Sequence, residues 1–299
     1  MDNNYIFQYW EAIQDGTVTV GKWIKTIYEI LVNGLKSGKW DFDEEKANKA
    51  INFIENFCHH SEGRNDLLKL ELWQKAIVSA IFGIMDKRTG YRQFREVFIV
   101  VARKNGKTLF AAAIAAYMAY IDDEYGAKVY FLAPKLDQAD LVYDAFYQIV
   151  QADDELDSIT KKRRSDIYIK EFNTSVKKIA FNSKKSDGFN PQMVVNDEME
   201  AWQGDQGLKQ YEVMTSALGA RKQPLILSIS TAGYINDGIY DELMRRSTSF
   251  LKGNSKEKIL FLLCRGMGHK LFLLLPELPP ETDVHPMVNI AVLLRKVPF

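Results

Sequence analysis

Val97-Phe-Ile-Val-Val-Ala-Arg-Lys-Asn-Gly-Lys-Thr108 is the stretch that decides the fold. Its first five residues are continuously apolar and mostly β-branched, the pattern of a strand buried on both faces. Leu109–Tyr120, directly after it, is alanine-rich and reads as a helix. Between the two, Gly106-Lys107-Thr108 matches the second half of the phosphate-loop pattern G-x-x-x-x-G-K-[ST], while Val101 stands where the first glycine would be. The chemistry explains why the second half matters more. Gly106 lets backbone N–H groups and a helix N-terminus approach an anion closely. Lys107 can reach the β- and γ-phosphates, and Thr108 can offer its hydroxyl to Mg²⁺. The competing reading is an ordinary strand-to-helix turn that contains Gly-Lys-Thr. The buried strand before and the helix after favour the nucleotide.

Working outward, further strands are expected at Lys128–Ala133, Val176–Phe181, Met193–Asn196 and Pro224–Ser230, with a helix over Gln138–Val150. That alternation predicts an α/β fold, a P-loop NTPase with a doubly wound, mainly parallel sheet. Upstream, Tyr5–Gln14, Lys22–Leu35 and Glu44–Phe57 carry apolar residues at helical spacing, with an N-cap and acidic first turn expected at Asp41–Glu45. Leu70–Met85 reads as a short approach and a buried helix. After about Ser255 the strand–helix rhythm stops. The expected organisation is a helical subdomain over 1–90, an ATPase core over 91–255 and an atypical tail over 256–299.

Met193-Val-Val-Asn-Asp-Glu198 is an apolar strand that ends in two carboxylates. At the C-terminal edge of an open α/β sheet, where ligands bind, Asp197 suits Mg²⁺ and Glu198 suits the attacking water. The competing reading is an acidic surface loop, extended by Glu200. Ser230-Thr231-Ala232-Gly233 also follows a strand, and its hydroxyls could sense a γ-phosphate or simply end the strand.

Composition narrows the class. Hydrophobic residues make up 46% and charged residues 26% of 299, which excludes disordered and low-complexity chains. The 39 basic and 39 acidic side chains cancel, so contact with nucleic acid would need a local basic patch such as Lys161-Lys-Arg-Arg164. Cys58 and Cys264 are too few for a disulfide framework. Cys58-His59-His60 has no partner pair at a zinc-site spacing. Neither a signal peptide nor a membrane-spanning run is seen; Ile259–Cys264 and Leu271–Leu275 are short and separated by charges. The expectation is a soluble chain of the cytoplasm, with no membrane partner.

The ordered set resembles the ATPase domain of the large terminase subunit of tailed double-stranded DNA phages and prophages. Phe42-Asp-Glu-Glu-Lys-Ala, Ile51-Asn-Phe-Ile, Leu72-Trp-Gln74, Ile81-Phe-Gly83 and Arg95 are similar to that family's N-terminal part. Ala102–Thr108 is similar to its deviant phosphate loop, which lacks the first glycine. Ala133–Ala139, Asp187-Gly-Phe-Asn-Pro191 with Asn196-Asp-Glu198, and Ala220-Arg-Lys-Gln-Pro-Leu225 with Ser230–Gly233 resemble the later motifs. The resemblance implies ATP and Mg²⁺ as cofactors and ATP-driven packaging of double-stranded DNA into procapsids. It implies Gln74 for adenine, the loop residues Arg103, Lys104, Asn105, Gly106, Lys107 and Thr108 for phosphate, Thr108 and Asp197 for Mg²⁺, and Glu198 for the catalytic water. Ser230–Gly233 would couple the two activities. Arg103 in cis and Arg221 from a neighbouring subunit are alternatives for the charge-stabilising arginine. Gln74 has a second reading, as an exposed helix residue beside a core tryptophan. The implied partners are double-stranded DNA, a small terminase subunit, a portal protein and further copies in a ring, in the bacterial host cytoplasm.

Two departures accompany the resemblance. The family carries a histidine two places after the catalytic glutamate, where this chain has Glu200. It also continues into a carboxylate-rich nuclease domain, which the last residues do not resemble, so no nuclease activity is expected and the tail reads as that of a truncated or frameshifted product. The rival readings are a non-catalytic terminase remnant that docks to portal or DNA, and a helicase-type P-loop ATPase.

Overall fold

The computed structural model describes residues 4–60, 62–180, 188–232, 238–254 and 260–265. Phe181, Asp187, Gly233, Ser255, Ile259 and the tail beyond residue 265, all invoked by the sequence reading, lie outside the described residues. Every described residue belongs to one unit, Met1–Gly266.

The chain opens with helices α1 (Tyr5–Gln14) and α2 (Lys22–Lys36). Strand β1 (Asp41–Phe42), α3 (Glu44–Phe57), α4 (Leu72–Gly83) and β2 (Ile84–Met85) follow. The expected cap of α3 is present: the Asp43 carboxylate accepts from Lys46 N–H at 3.0 Å, with Glu44 and Glu45 in the first turn. Such a cap contributes about 1 kcal/mol. One face of α3 buries Ala47, Ala50, Ile51, Phe53 and Ile54.

The core follows as β3 (Glu96–Val101), α5 (Lys107–Tyr120), β4 (Lys128–Ala133), α6 (Leu136–Ala152), α7 (Asp154–Ser158), β5 (Thr160–Lys162), β6 (Ile167–Ile169), β7 (Thr174–Ala180), β8 (Met193–Asn196), α8 (Gly204–Ala217), β9 (Leu225–Ser230), α9 (Ile239–Leu251) and β10 (Leu260–Arg265). Eight strands form one sheet in the order β10-β3-β9-β8-β4-β7-β6-β5. All neighbours from β10 to β7 are parallel; β6 and β5 add an antiparallel edge. Strand β3 is buried along its whole length, as its apolar run predicts. Its one acid, Glu96, is satisfied by a bidentate pair with Arg246 (2.8 and 2.9 Å) and by the Tyr211 hydroxyl. Helix α5 is buried from Phe110 to Tyr120, because it is enclosed by the sheet, α3 and α6. Its alanines permit that close packing.

Two elements differ from the sequence reading. The rhythm does not end at Ser255: β10 runs parallel to β3, Leu260 opposite Glu96 and Arg265 opposite Val101, so the sheet continues past the expected end of the core. The basic run, which by composition reads as a solvated loop, is in part a strand. Lys161 and Lys162 lie on edge strand β5, where lysines discourage pairing with another chain. Arg163 turns onto Asp166 (2.7 and 2.5 Å) and stacks over the Tyr168 ring at 4.0 Å.

Candidate nucleotide site

Lys104 and Gly106 take left-handed backbone angles (φ 63° and 68°) in the turn from β3 to α5. Gly106 is the N-cap of α5, and no side chain caps that helix. Nothing lies within 4 Å of where a Gly106 Cβ would stand, so the glycine is needed for its φ rather than for space. Asn105 fixes the loop by donating to the Ala102 carbonyl at 2.9 Å. The first N–H groups of α5 are thus left for an external anion.

Lys107 opens the helix and reaches across the sheet edge to Asp197, with Nζ 2.6 Å from Oδ1. The two side chains are 13% and 3% exposed. This contact depends on strand order. Strand β9 separates β3 from β8, so the ends of all three lie side by side, with Ser230 and Thr231 between the loop and the carboxylates. Asp197 is held on two sides: its carboxylate accepts from Glu198 N–H at 2.7 Å, and its carbonyl accepts from Trp202 Nε1 at 2.8 Å. Trp202 is pinned where Gly238, the N-cap of α9, approaches; a Cβ there would stand 2.6 Å from the Trp202 carbonyl oxygen.

Glu198 adopts a left-handed conformation (φ 51°, ψ 51°), unfavourable by roughly 1–2 kcal/mol for an L-residue. Its carboxylate accepts from Gln138 Nε2 at 3.2 Å. Burial raises the Asp197 carboxyl above its ordinary value, with Lys107 opposing. Burial likewise raises Glu198; Asp197 and Glu200 add to the shift, and Lys107 and Arg103 oppose it. An uncapped helix N-terminus, a lysine, the buried Asp197 and the half-buried Glu198 form a donor and acceptor set that fits a magnesium nucleotide, with Thr108 in the first turn beside Lys107.

The structure therefore brings Gly106, Lys107, Thr108, Asp197, Glu198, Ser230 and Thr231 to one edge. Arg103 and Lys104 are exposed on the loop, and Ala232 is exposed beyond Thr231. Gln74 is not the exposed residue of its second reading: it is 8% exposed, and its Oε1 accepts from Glu71 N–H at 2.9 Å to close the first turn of α4. That turn packs on α5 through Trp73 and Phe110, whose rings are 5.8 Å apart. Arg221 is not brought to this edge. Its guanidinium pairs with Glu124 (2.8 Å) and donates to the Gly126 carbonyl (2.8 Å) and Asn190 (2.9 Å), all at the opposite ends of the strands. The side-chain bonds of Gln138 and Glu200 have no local sequence signal, because their partners are distant in the chain; the Trp202 bond to Asp197 spans only five residues but belongs to no motif the sequence reading used.

A parallel sheet with a glycine-lysine-threonine turn facing an Asp-Glu pair across the intervening strand defines the class of P-loop nucleotide-binding proteins. Within that class the chain belongs to the family of terminase large subunit ATPase domains, whose family model matches residues 72–248. The large terminase of bacteriophage HK97 shares the fold, with a TM-score of 0.60 and 22% identity over 74% of this chain and 43% of that one. The chain thus spans less than half of that terminase. The ATPase domain of the Thermus phage P74-26 large terminase matches at a TM-score of 0.42 and 15% identity, covering 60% of this chain and 78% of that chain. The N-terminal domain of the DNA packaging ATPase from bacteriophage phi29 also gives 0.42 and 15%, covering 57% and 90%. No curated protein sequence matches significantly.

Proposed function

We propose that the chain hydrolyses Mg²⁺-ATP as the motor domain of a phage terminase large subunit and drives packaging of double-stranded DNA into procapsids. The carrying observation is the Lys107–Asp197 contact, which joins the phosphate loop to the carboxylate pair at one sheet edge. In this reading the α5 N-terminus and Lys107 bind the phosphates. Gln74, in the turn beside α5, contacts adenine. Thr108 and Asp197 would hold Mg²⁺, which supplies charge neutralisation on the phosphates. Glu198, its basicity raised by burial, orients the attacking water and takes its proton. Arg103 stabilises the transferred charge in cis, and Ser230 to Gly233 pass the change onward. Arg221 could act only from another copy.

As domain organisation we propose a helical annex over 1–90 on an ATPase core that runs from 91 through β10. The proposed partners are double-stranded DNA, a small terminase subunit, a portal protein and further copies in a ring, within the bacterial host cytoplasm. Among the described residues no helix is long and apolar enough to cross a membrane. DNA cleavage forms no part of the proposal, and metal-dependent cutting of a plasmid by the purified chain would overturn that point.

The test is turnover of Mg²⁺-ATP by wild type and by Glu198→Gln. Expected is a loss of at least about a hundredfold in kcat with nucleotide binding retained. Equal turnover refutes the assignment of Glu198, and no turnover in either favours a non-catalytic binding module.

A further inference from the structure

Glu200 lies two residues past Glu198, in the 3₁₀ turn Met199–Ala201. Its carboxylate is engaged by the end of β9 instead of by Lys107. Thr231 Oγ1 donates to Oε1 at 2.5 Å, and the Ser230 hydroxyl donates to Oε2. The backbone N–H of Glu200 donates back to Ser230 Oγ at 3.2 Å. Ser230 is fully buried and Thr231 nearly so, so neither hydroxyl has ready replacement by water. Three hydrogen bonds, two of them to a charged acceptor and so the stronger kind, join the turn after β8 to the turn after β9. The left-handed Glu198 stands at the start of the first turn, so its orientation depends on that junction.

We propose that Glu200 is a positioning residue that clamps the Ser230–Thr231 turn to the segment bearing Asp197 and Glu198. The two turns then move as one body, and a displacement of the β9 end re-aims Glu198. The catalytic consequence rests on the ATPase reading above; the clamp itself does not.

Four proteins test it: Glu200→Ala, Glu200→Gln, Thr231→Val and the Glu200→Ala/Thr231→Val double variant. The readouts are kcat and KM for Mg²⁺-ATP and, without nucleotide, hydrogen exchange of the amides of 198–201 and 229–232. Glu200→Ala is expected to lower kcat about tenfold with KM changed by less than about twofold. Glu200→Gln, which keeps an acceptor oxygen, should recover kcat to within about threefold of wild type. The double variant should be no slower than Glu200→Ala within about twofold, because both changes break one junction. Exchange in both segments should rise in Glu200→Ala. Unchanged exchange, or penalties that multiply in the double variant, overturns the clamp. If Glu200→Ala fails to fold, Thr231→Val decides alone: with its bond to Glu200 removed, exchange of the 198–201 amides should rise, and unchanged exchange there overturns the clamp. A wild type without turnover refutes the ATPase reading, while exchange still decides the clamp.

Discussion

Separating Lys107 from Asp197 tests the geometry of the site without any nucleotide. The ammonium lies 2.6 Å from the carboxylate, and the side chains are 13% and 3% exposed. Removing one member of a buried pair costs about 3–5 kcal/mol, because the other charge stays desolvated. The partial exposure of Lys107 points to the lower end, about 3 kcal/mol for Lys107→Met. Asp197 can relieve part of that cost by taking a proton, which its raised pKa favours. For Asp197→Asn the stranded ammonium can reach toward solvent, so about 2 kcal/mol is expected. The double variant Lys107→Met/Asp197→Asn removes both charges and should lie within about 1 kcal/mol of wild type. On melting temperature, 3 kcal/mol corresponds to roughly 6–12 °C in a domain of somewhat smaller size, so about 6 °C is expected here. The assay is thermal and urea unfolding of the four proteins in EDTA, free of nucleotide and phosphate. Single variants as stable as wild type, or a double variant whose loss equals the sum of the singles, would refute the claim of a buried, coupled pair.

Three further predictions concern the two arginines and acid stability. Arg103→Ala should lower turnover about a thousandfold or more, as expected of a charge-stabilising arginine, and leave the melting temperature unchanged because the residue is exposed. Arg221→Ala should instead cost about 1–2 kcal/mol of stability by leaving Glu124, Asn190 and the Gly126 carbonyl without their partner. Lost turnover with unchanged melting in Arg221→Ala would assign that arginine to a neighbouring active site. Hydrogen bonds from Arg163, with help from Ser175, hold the Asp166 carboxyl below its ordinary value although burial opposes them. A depressed carboxylate stabilises the fold above its unfolded pKa and loses that contribution as pH falls through the folded value. The stability gap between wild type and Asp166→Asn should therefore shrink from about pH 6 to about pH 3 in urea titrations, and a gap independent of pH would refute the attribution.

The phosphate loop and the carboxylate pair were legible because both are local: a β-branched run, a glycine turn and an alanine-rich helix lie in one stretch, and Asp197 and Glu198 end another. Elements whose identity depends on a partner were harder. Strand β10 is an apolar run followed by charges and prolines, and only its pairing along β3 makes it part of the sheet. Edge strand β5 reads as a solvated basic run, since lysines on an edge and lysines in a loop look alike along the chain. Gln74 reads equally well as an exposed helix residue, and its burial belongs to the first turn of a helix buried nearly all round, where its Oε1 accepts from Glu71 N–H. Glu200 looked like one more surface acid. Its partners are 30 and 31 residues away and meet it only because β9 lies beside β8.

Arg221 shows how far topology alone extends such reasoning. In a parallel sheet, residues that follow their strands gather at one edge and residues that precede them gather at the other. Lys107, Asp197, Glu198 and Thr231 all follow strands; Arg221 precedes β9, as Glu124 and Gly126 precede β4 and Asn190 precedes β8. The strand β9 it precedes is six residues long, about 20 Å at the usual rise per residue. No side chain spans that length, so the guanidinium cannot attend a phosphate held by Lys107 of its own chain. A finger role for Arg221 therefore requires a second copy and the release of three contacts that now hold it. Arg103 requires neither, which is why turnover of the isolated chain should respond to Arg103 first.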